Sequence, residues 1–392
     1  MPRLHHHGLL TPTLSVLLAA TVAQTPAAAQ SVSTTLAQAR SLRSRGDLTA
    51  ASAALNQILA AEPDNVLALT ELARVKLDQA EQPAAEPLLS RALTISPNSP
   101  DANTTLGSLL LKAKHYPEAM DHFETTLAIA PRDQAARSGE FEAATALALQ
   151  TKAAGNAEAA LLCLEHAAEH LPDNSDLLID IGVVAGDLHL FRRAEHALAR
   201  ALAIAPNNPR ALYAAGRIAT DTQHLPEAEK YLRAYLALKP DDATAHFGLG
   251  HILAMELNTA GAKVEFERSI ALQPVQSESF YQLGVLAANA HADTEAEALF
   301  RKTLARNPNH GGALSGLGEI AFRRRDYPAA QSALSAAVAA APDYQPAHYY
   351  LGLTLARLGQ REASARELQT ATDLTQQQQS KAAPERSEAA MP

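Results

Sequence analysis

Along most of the chain, apolar residues fall three and four apart in runs separated by short polar breaks. That spacing predicts amphipathic helices rather than strands. In residues 175–208, SDLLIDIGVVAGDLHLFRRAEHALARALAIAPNN, two such runs flank a polar break near the middle, which predicts two antiparallel helices. The layout returns. Prolines stand at Pro63, Pro97, Pro131, Pro172, Pro206, Pro240, Pro274, Pro308 and Pro342, with seven of the eight gaps 34 residues long and one 41. Glycines at Gly107, Gly182, Gly216, Gly250, Gly284, Gly318 and Gly352 hold a constant offset from those prolines. Two marks sharing one period of this length predict stacked repeats.

Ten units result: 32–65, 66–99, 100–133, 134–174, 175–208, 209–242, 243–276, 277–310, 311–344 and 345–375. With the first residue of a unit as position 1, Leu178, Ile181, Gly182, Ala194, Leu198, Ala201 and Pro206 occupy positions 4, 7, 8, 20, 24, 27 and 32. This spacing resembles the tetratricopeptide repeat, whose pattern is W-x2-L-G-x2-Y, then A-x3-F, then A and P. The tryptophan is absent throughout, and smaller or aliphatic residues replace the tyrosine of position 11. The resemblance implies an all-α fold, a right-handed superhelical solenoid of about ten helix-turn-helix units.

Local chemistry agrees with those boundaries. Pro63-Asp64-Asn65, Pro97-Asn98-Ser99 and Pro206-Asn207-Asn208 stop one helix and offer a cap to the next. Pro83, Pro117, Pro226 and Pro328 fall where second helices should begin, and a proline in the first turn removes no internal hydrogen bond. A glycine inside a helix costs about 0.5–1 kcal/mol relative to alanine, so the series at position 8 needs compensation. The expected source is close approach of the paired helix at small residues of position 20, such as Ala194 and Ala228. The long fourth unit carries seven extra residues, 134–140. Seven residues are close to two helical turns, so they should lengthen the first helix without turning its buried face.

The ends differ from the array. Residues 1–29 hold Arg3, an interrupted apolar stretch and Ala27-Ala28-Ala29 ahead of Gln30, the pattern of a signal peptide cut after Ala29. The mature protein is then expected to be exported, periplasmic or secreted, with no stable membrane span. Residues 376–392, QQQQSKAAPERSEAAMP, cannot bury a core and are expected to be disordered. The tenth unit has Ser364 at position 20 and a polar second helix, as a cap to the stack would.

Composition removes several functions. A formal net charge of −9 argues against nucleic-acid binding, which needs a basic face. The one cysteine, Cys163, can form no internal disulfide and falls at position 23 of its unit, where a small apolar residue suffices. There is no phosphate loop and no CxxC pair, and no cofactor is expected. His166, Glu169 and His170 match the H-x-x-E-H pattern of inverted zinc proteases, two imidazoles one helical turn apart with a carboxylate between. Ala167 should face inward within that motif and Pro172 follows closely, so the expectation is no metal and no catalysis.

The inner surface remains. In tetratricopeptide arrays the first helices line the concave side, with positions 2, 5, 9 and 12 facing it. Position 5 here carries Tyr213, Phe247, Tyr281 and Tyr349 among the last five units, although aromatics make up 4% of the chain. Position 9 adds Arg217, His251 and Glu319. The lysine and asparagine with which chaperone-binding members clamp a terminal carboxylate are missing, and that function does not transfer. Two readings follow. One is a non-catalytic scaffold or adaptor that holds a peptide or protein partner, an envelope complex included, in the groove. The other is a component of polysaccharide export or modification whose aromatic row stacks on a glycan.

Overall fold

The computed structural model describes residues 26–382, with side chains from Ser31 to Ser380. Residues 1–25 of the expected signal peptide and the last ten residues of the expected tail lie outside the described residues. The chain divides into two compact bodies, one running to Gln150 and including Glu169–Leu171, the other formed by Thr151–Ala168 and the residues from Pro172 onward.

Among the described residues there are twenty helices and no strand. The first body is built on α1 (Pro26–Ser44), α2 (Leu48–Ala61), α3 (Val66–Asp78), α4 (Gln82–Ile95), α5 (Pro100–Lys112), α6 (Tyr116–Ile129) and α7 (Gln134–Ala153). The helix α8 (Ala157–His170) follows. The second body continues with α9 (Ser175–Asp187), α10 (Phe191–Ile204), α11 (Pro209–Asp221), α12 (Leu225–Leu238), α13 (Ala243–Met255) and α14 (Thr259–Leu272). It ends with α15 (Glu278–Asn289), α16 (Asp293–Leu304), α17 (Gly311–Arg323), α18 (Tyr327–Ala340), α19 (Gln345–Arg357) and α20 (Arg361–Ala382).

Odd-numbered helices pack on the even ones that follow them, from α1 on α2 to α5 on α6 in the first body and from α9 on α10 to α19 on α20 in the second. Successive pairs then stack, as α2 on α3 and α12 on α13. First helices also touch one another, α1 with α3, α3 with α5, and α15 with α17. Asparagine and aspartate side chains cap the starts: Asn65, Asn174, Asn208 and Asp242 each accept from backbone N–H groups of the helix they precede. These caps satisfy donors that have no partner within the helix.

The glycines of position 8 face a different partner from the expected one. A Cβ on Gly250 would lie 2.8 Å from the Phe266 ring, and one on Gly107 would lie 2.9 Å from Phe123. Both partners, like Leu198 opposite Gly182 and Phe300 opposite Gly284, sit at position 24. The compensation is therefore a large side chain filling the space the glycine leaves, with rings such as Phe123, Phe266 and Phe300 almost wholly buried. Alanines at position 20, among them Ala194 and Ala228, are fully buried but are not what the glycines accommodate.

The long unit keeps its register as the spacing predicts. Helix α7 has 20 residues against 13 for α3, α5 and α9, so the seven extra residues all enter the first helix. Gly139 does not break it, because its bare Cα packs against the Phe123 ring. At the other end α20 has 22 residues and carries residues 376–382 as helix, where composition predicts a disordered tail. Local helix propensity of the Gln-rich stretch explains this, since the side chains from Gln376 to Ser380 are solvent-facing.

One backbone feature recurs in every unit without a constant residue type to mark it. The turn between the two helices, position 15 in nine units and shifted by the seven extra residues in the fourth, has positive φ in all ten: Gly46, Gly155 and Gly359, but also Ala80, Lys114, His189, Gln223, Leu257, His291 and Arg325. The left-handed conformation costs a residue with a Cβ about 1–2 kcal/mol, and glycine escapes that cost. Leu257 has φ of 62° with 86% exposure, so it bears the strain without packing in return. Leu257→Gly is expected to raise the midpoint of thermal unfolding, by an amount equivalent to about 1 kcal/mol, in a calorimetric scan. A lowered midpoint would mean that the leucine makes contacts in solution that hold the turn.

Candidate functional site

Of the seven residues expected to line one groove, four meet. Tyr213 and Arg217 are one helical turn apart on α11, as Phe247 and His251 are on α13, so each helix presents a ring and a polar group on one face. With Thr220, Asp221, Thr244, Ala245, Leu232 and Gly248 they line an open-sided hollow of about 160 Å³. Gly248 lies 3.4 Å from Leu232 measured to the place its Cβ would take, which keeps the floor low.

Each wall has its own support. The Tyr213 ring packs on Tyr235 at 5.2 Å between centroids. The Tyr235 hydroxyl donates to the Asp242 carboxylate at 2.6 Å, and Asp242 also accepts from the backbone N–H of Thr244 and Ala245 at the start of α13. That hydrogen bond, with burial, pushes the Tyr235 phenol up to about 12. Burial would raise the Asp242 carboxyl, but the Tyr235 and backbone bonds outweigh it and hold the group below the usual carboxylate range. One relay of contacts thus joins the Tyr213 wall to the helix that carries the opposite wall.

Phe247 has two ring neighbours, His251 at 6.4 Å with an interplanar angle of 13° and the buried Phe266, tilted, at 5.8 Å. Arg217 is 42% exposed and donates to Asp187 at 3.0 Å, while Lys152 reaches the same carboxylate at 2.7 Å. Burial works to raise the Asp187 carboxyl, and the hydrogen bonds and charges of Lys152 and Arg217 bring it below its ordinary value. Neither Asp187 nor Asp221 has a mark in the sequence; each is one of many acidic residues on helix exteriors, and only its distance from Arg217 or the hollow singles it out.

The other three expected groove residues stand apart. Tyr281 is half-buried against Phe300 at 6.0 Å and His310 at 4.5 Å, its hydroxyl 3.4 Å from that of Tyr344. Burial, then the Tyr344 contact, raises the phenol of Tyr281 well above its usual range. Tyr281 thus packs its ring against two neighbours. Glu319 accepts from Arg323 at 2.6 Å, and the same guanidinium reaches Asp293. Tyr349 is the exposed one, with its ring edge on Tyr350 at 5.4 Å. A period of 34 puts residues on equivalent faces but says nothing of which neighbouring side chain covers them.

The H-x-x-E-H stretch lies on α8 with His166 and Glu169 exposed, His170 half-buried and Ala167 fully buried. The group of potential metal ligands that comes together among the described residues contains His170 but neither His166 nor Glu169. Cys163 is half-buried on the same helix. No described helix is long and apolar enough to cross a membrane.

Consecutive helix pairs with a shallow, side-chain-sized hollow between first helices define an α-helical repeat protein of the interaction-module class. The chain belongs to the tetratricopeptide repeat family. Two models of that repeat match it, one over residues 36–100, 281–330 and 315–378 and the other over 83–140 and 188–274. Solved structures similar in fold include MamA from Desulfovibrio magneticus, 21% identical, covering 42% of this chain and 93% of that one with a TM-score of 0.41. YrrB, described as a tetratricopeptide protein with an unusual peptide-binding site, is 21% identical and covers 47% of this chain and 95% of its own, with a TM-score of 0.40. The Cut9–Hcn1 assembly of the APC/C is 14% identical over 88% of this chain and 73% of that chain, with a TM-score of 0.46. No curated protein matches the chain. Tetratricopeptide repeats are generally non-catalytic scaffolds for protein association, and the fold of this chain is of that kind.

Proposed function

We propose that the chain is an exported, non-catalytic scaffold that takes a side chain of a peptide or protein partner into the hollow between α11 and α13. The observation that carries this reading is the meeting of two exposed polar groups, Arg217 and His251, with two half-buried rings around one opening. An apolar floor with a few convergent polar groups is the usual make-up of a recognition pocket. Arginine and aromatic anchors also dominate binding at such surfaces. Export to the periplasm or beyond rests on the leader pattern of residues 1–29, and an envelope complex is the partner that this location offers.

A protein partner fits better than a glycan. Stacking on sugar needs free ring faces, yet Phe247 is half-buried with His251 and Phe266 as ring neighbours, and Tyr281 is half-buried with Phe300 and His310. The test uses the exposed residues, because they can be changed without opening the core. The full chain and an Arg217→Glu, His251→Glu variant are used to capture partners from the envelope of the native host. The protein identified by mass spectrometry is then purified, and its Kd is measured against both. The variant should bind at least tenfold more weakly with unchanged helical circular dichroism. Equal affinity would move the site away from this hollow.

A further inference from the structure

We propose that Glu124, Glu140 and His170 form a binding site for a divalent transition-metal ion of the zinc class. Their ligand atoms lie within 4.8 Å of one another, and all three residues belong to the first compact body. Glu124 comes from α6, Glu140 from the lengthened α7, and His170 is the last residue of α8. Bound zinc holds carboxylate oxygen and imidazole nitrogen at about 2.0–2.2 Å, which puts tetrahedral ligand pairs about 3.4 Å apart. Binding an ion would draw the three groups in from their present spacing, within 4.8 Å, to that distance.

The second observation is Glu140 itself. Its relative exposure is 0%, and neither carboxylate oxygen has a hydrogen-bond partner. Counted from Gln134 it stands at position 7, where other units place Leu72, Leu106, Ile181, Leu249 or Leu283 in the core. A buried carboxylate without a partner is strongly unfavourable unless it is neutralised or coordinates a metal. Burial, reinforced by the negative charges of Glu124 and Asp121, pushes its carboxyl up to about 8, so its environment demands either a proton or a cation. Two carboxylates with one imidazole favour ions of the zinc, cobalt and manganese type over magnesium or calcium, which take oxygen-only sets. The seven-residue extension of α7 brings Glu140 into this register, which gives the extra two turns a purpose beyond length. Such an ion would tie the end of α8 to α6 and α7.

The experiment uses the full chain stripped with a chelator and then titrated with zinc chloride by calorimetry, with cobalt chloride followed by visible absorption and by thermal melting. One equivalent of zinc should bind, and the melting midpoint should rise. E140Q and H170Q should each weaken binding at least a hundredfold, and H170Q keeps the test valid if E140Q fails to fold, because His170 is only half-buried. A double variant H166Q/E169Q, changing exposed residues outside the cluster, should bind as the parent does. Absence of stoichiometric binding by the parent overturns the proposal, and so does undiminished binding by H170Q. An E140Q protein that melts higher than a parent indifferent to zinc would show instead that Glu140 is kept neutral by a proton.

Discussion

Phe123→Ala is expected to lower the unfolding free energy by about 3–5 kcal/mol, the range for removing a fully buried aromatic ring. Phe123 has no solvent exposure, and its ring meets two glycines, Gly107 on α5 and Gly139 on α7. Most cavities relax partly because neighbouring side chains lean in. Here two of the neighbours have no side chain to lean, so the void should persist and the loss should fall in the upper part of that range. Phe123→Leu keeps most of the volume and should cost less than about 1.5 kcal/mol. Urea unfolding followed by circular dichroism reads both values. A loss under about 1 kcal/mol for the alanine variant would show that α5 and α7 close over the gap.

Gly250→Leu is the complementary test. On helix propensity alone leucine should gain nearly 1 kcal/mol over glycine. Against that, even the first carbon of the side chain would sit 2.8 Å from Phe266, a ring that is fully buried and cannot swing into solvent. Overpacking should prevail, with a net loss of about 1–3 kcal/mol. Combining it with Phe266→Ala gives the leucine room, so the double variant should be more stable than the sum of the two losses predicts, by at least about 1 kcal/mol. An unchanged melting temperature for Gly250→Leu, or strict additivity in the cycle, would show that the glycine and the ring are not in contact.

The repeat is legible because its marks are local. A helix pair needs apolar spacing, a stop and a cap, and each is written within a few residues, as at Pro206-Asn207-Asn208. The 20-residue α7 follows from the same reasoning, since two whole turns leave a buried face in phase. The aromatic recurrence at position 5 is also visible, and four of the seven expected groove residues line one hollow. The partners of those rings are not visible. Tyr281 on His310 and Phe247 on Phe266 are separated by 29 and 19 residues, and no local rule pairs them.

Residues close together in the chain settle the class of fold, the order of the helices and the marks that pace them, because helix formation, capping and the pairing of neighbouring helices act over short separations. What each glycine makes room for, which turn residues bear left-handed strain, which rings are covered, and the meeting of Glu140 with Glu124 and His170 all depend on the folded chain. The physical reason is that burial and proximity are made by side chains from different helices. Ile181 and Glu140 look alike to a periodic count, since each is the seventh residue of its unit, and both are buried. Only the space around the carboxylate distinguishes a ligand from a packing residue.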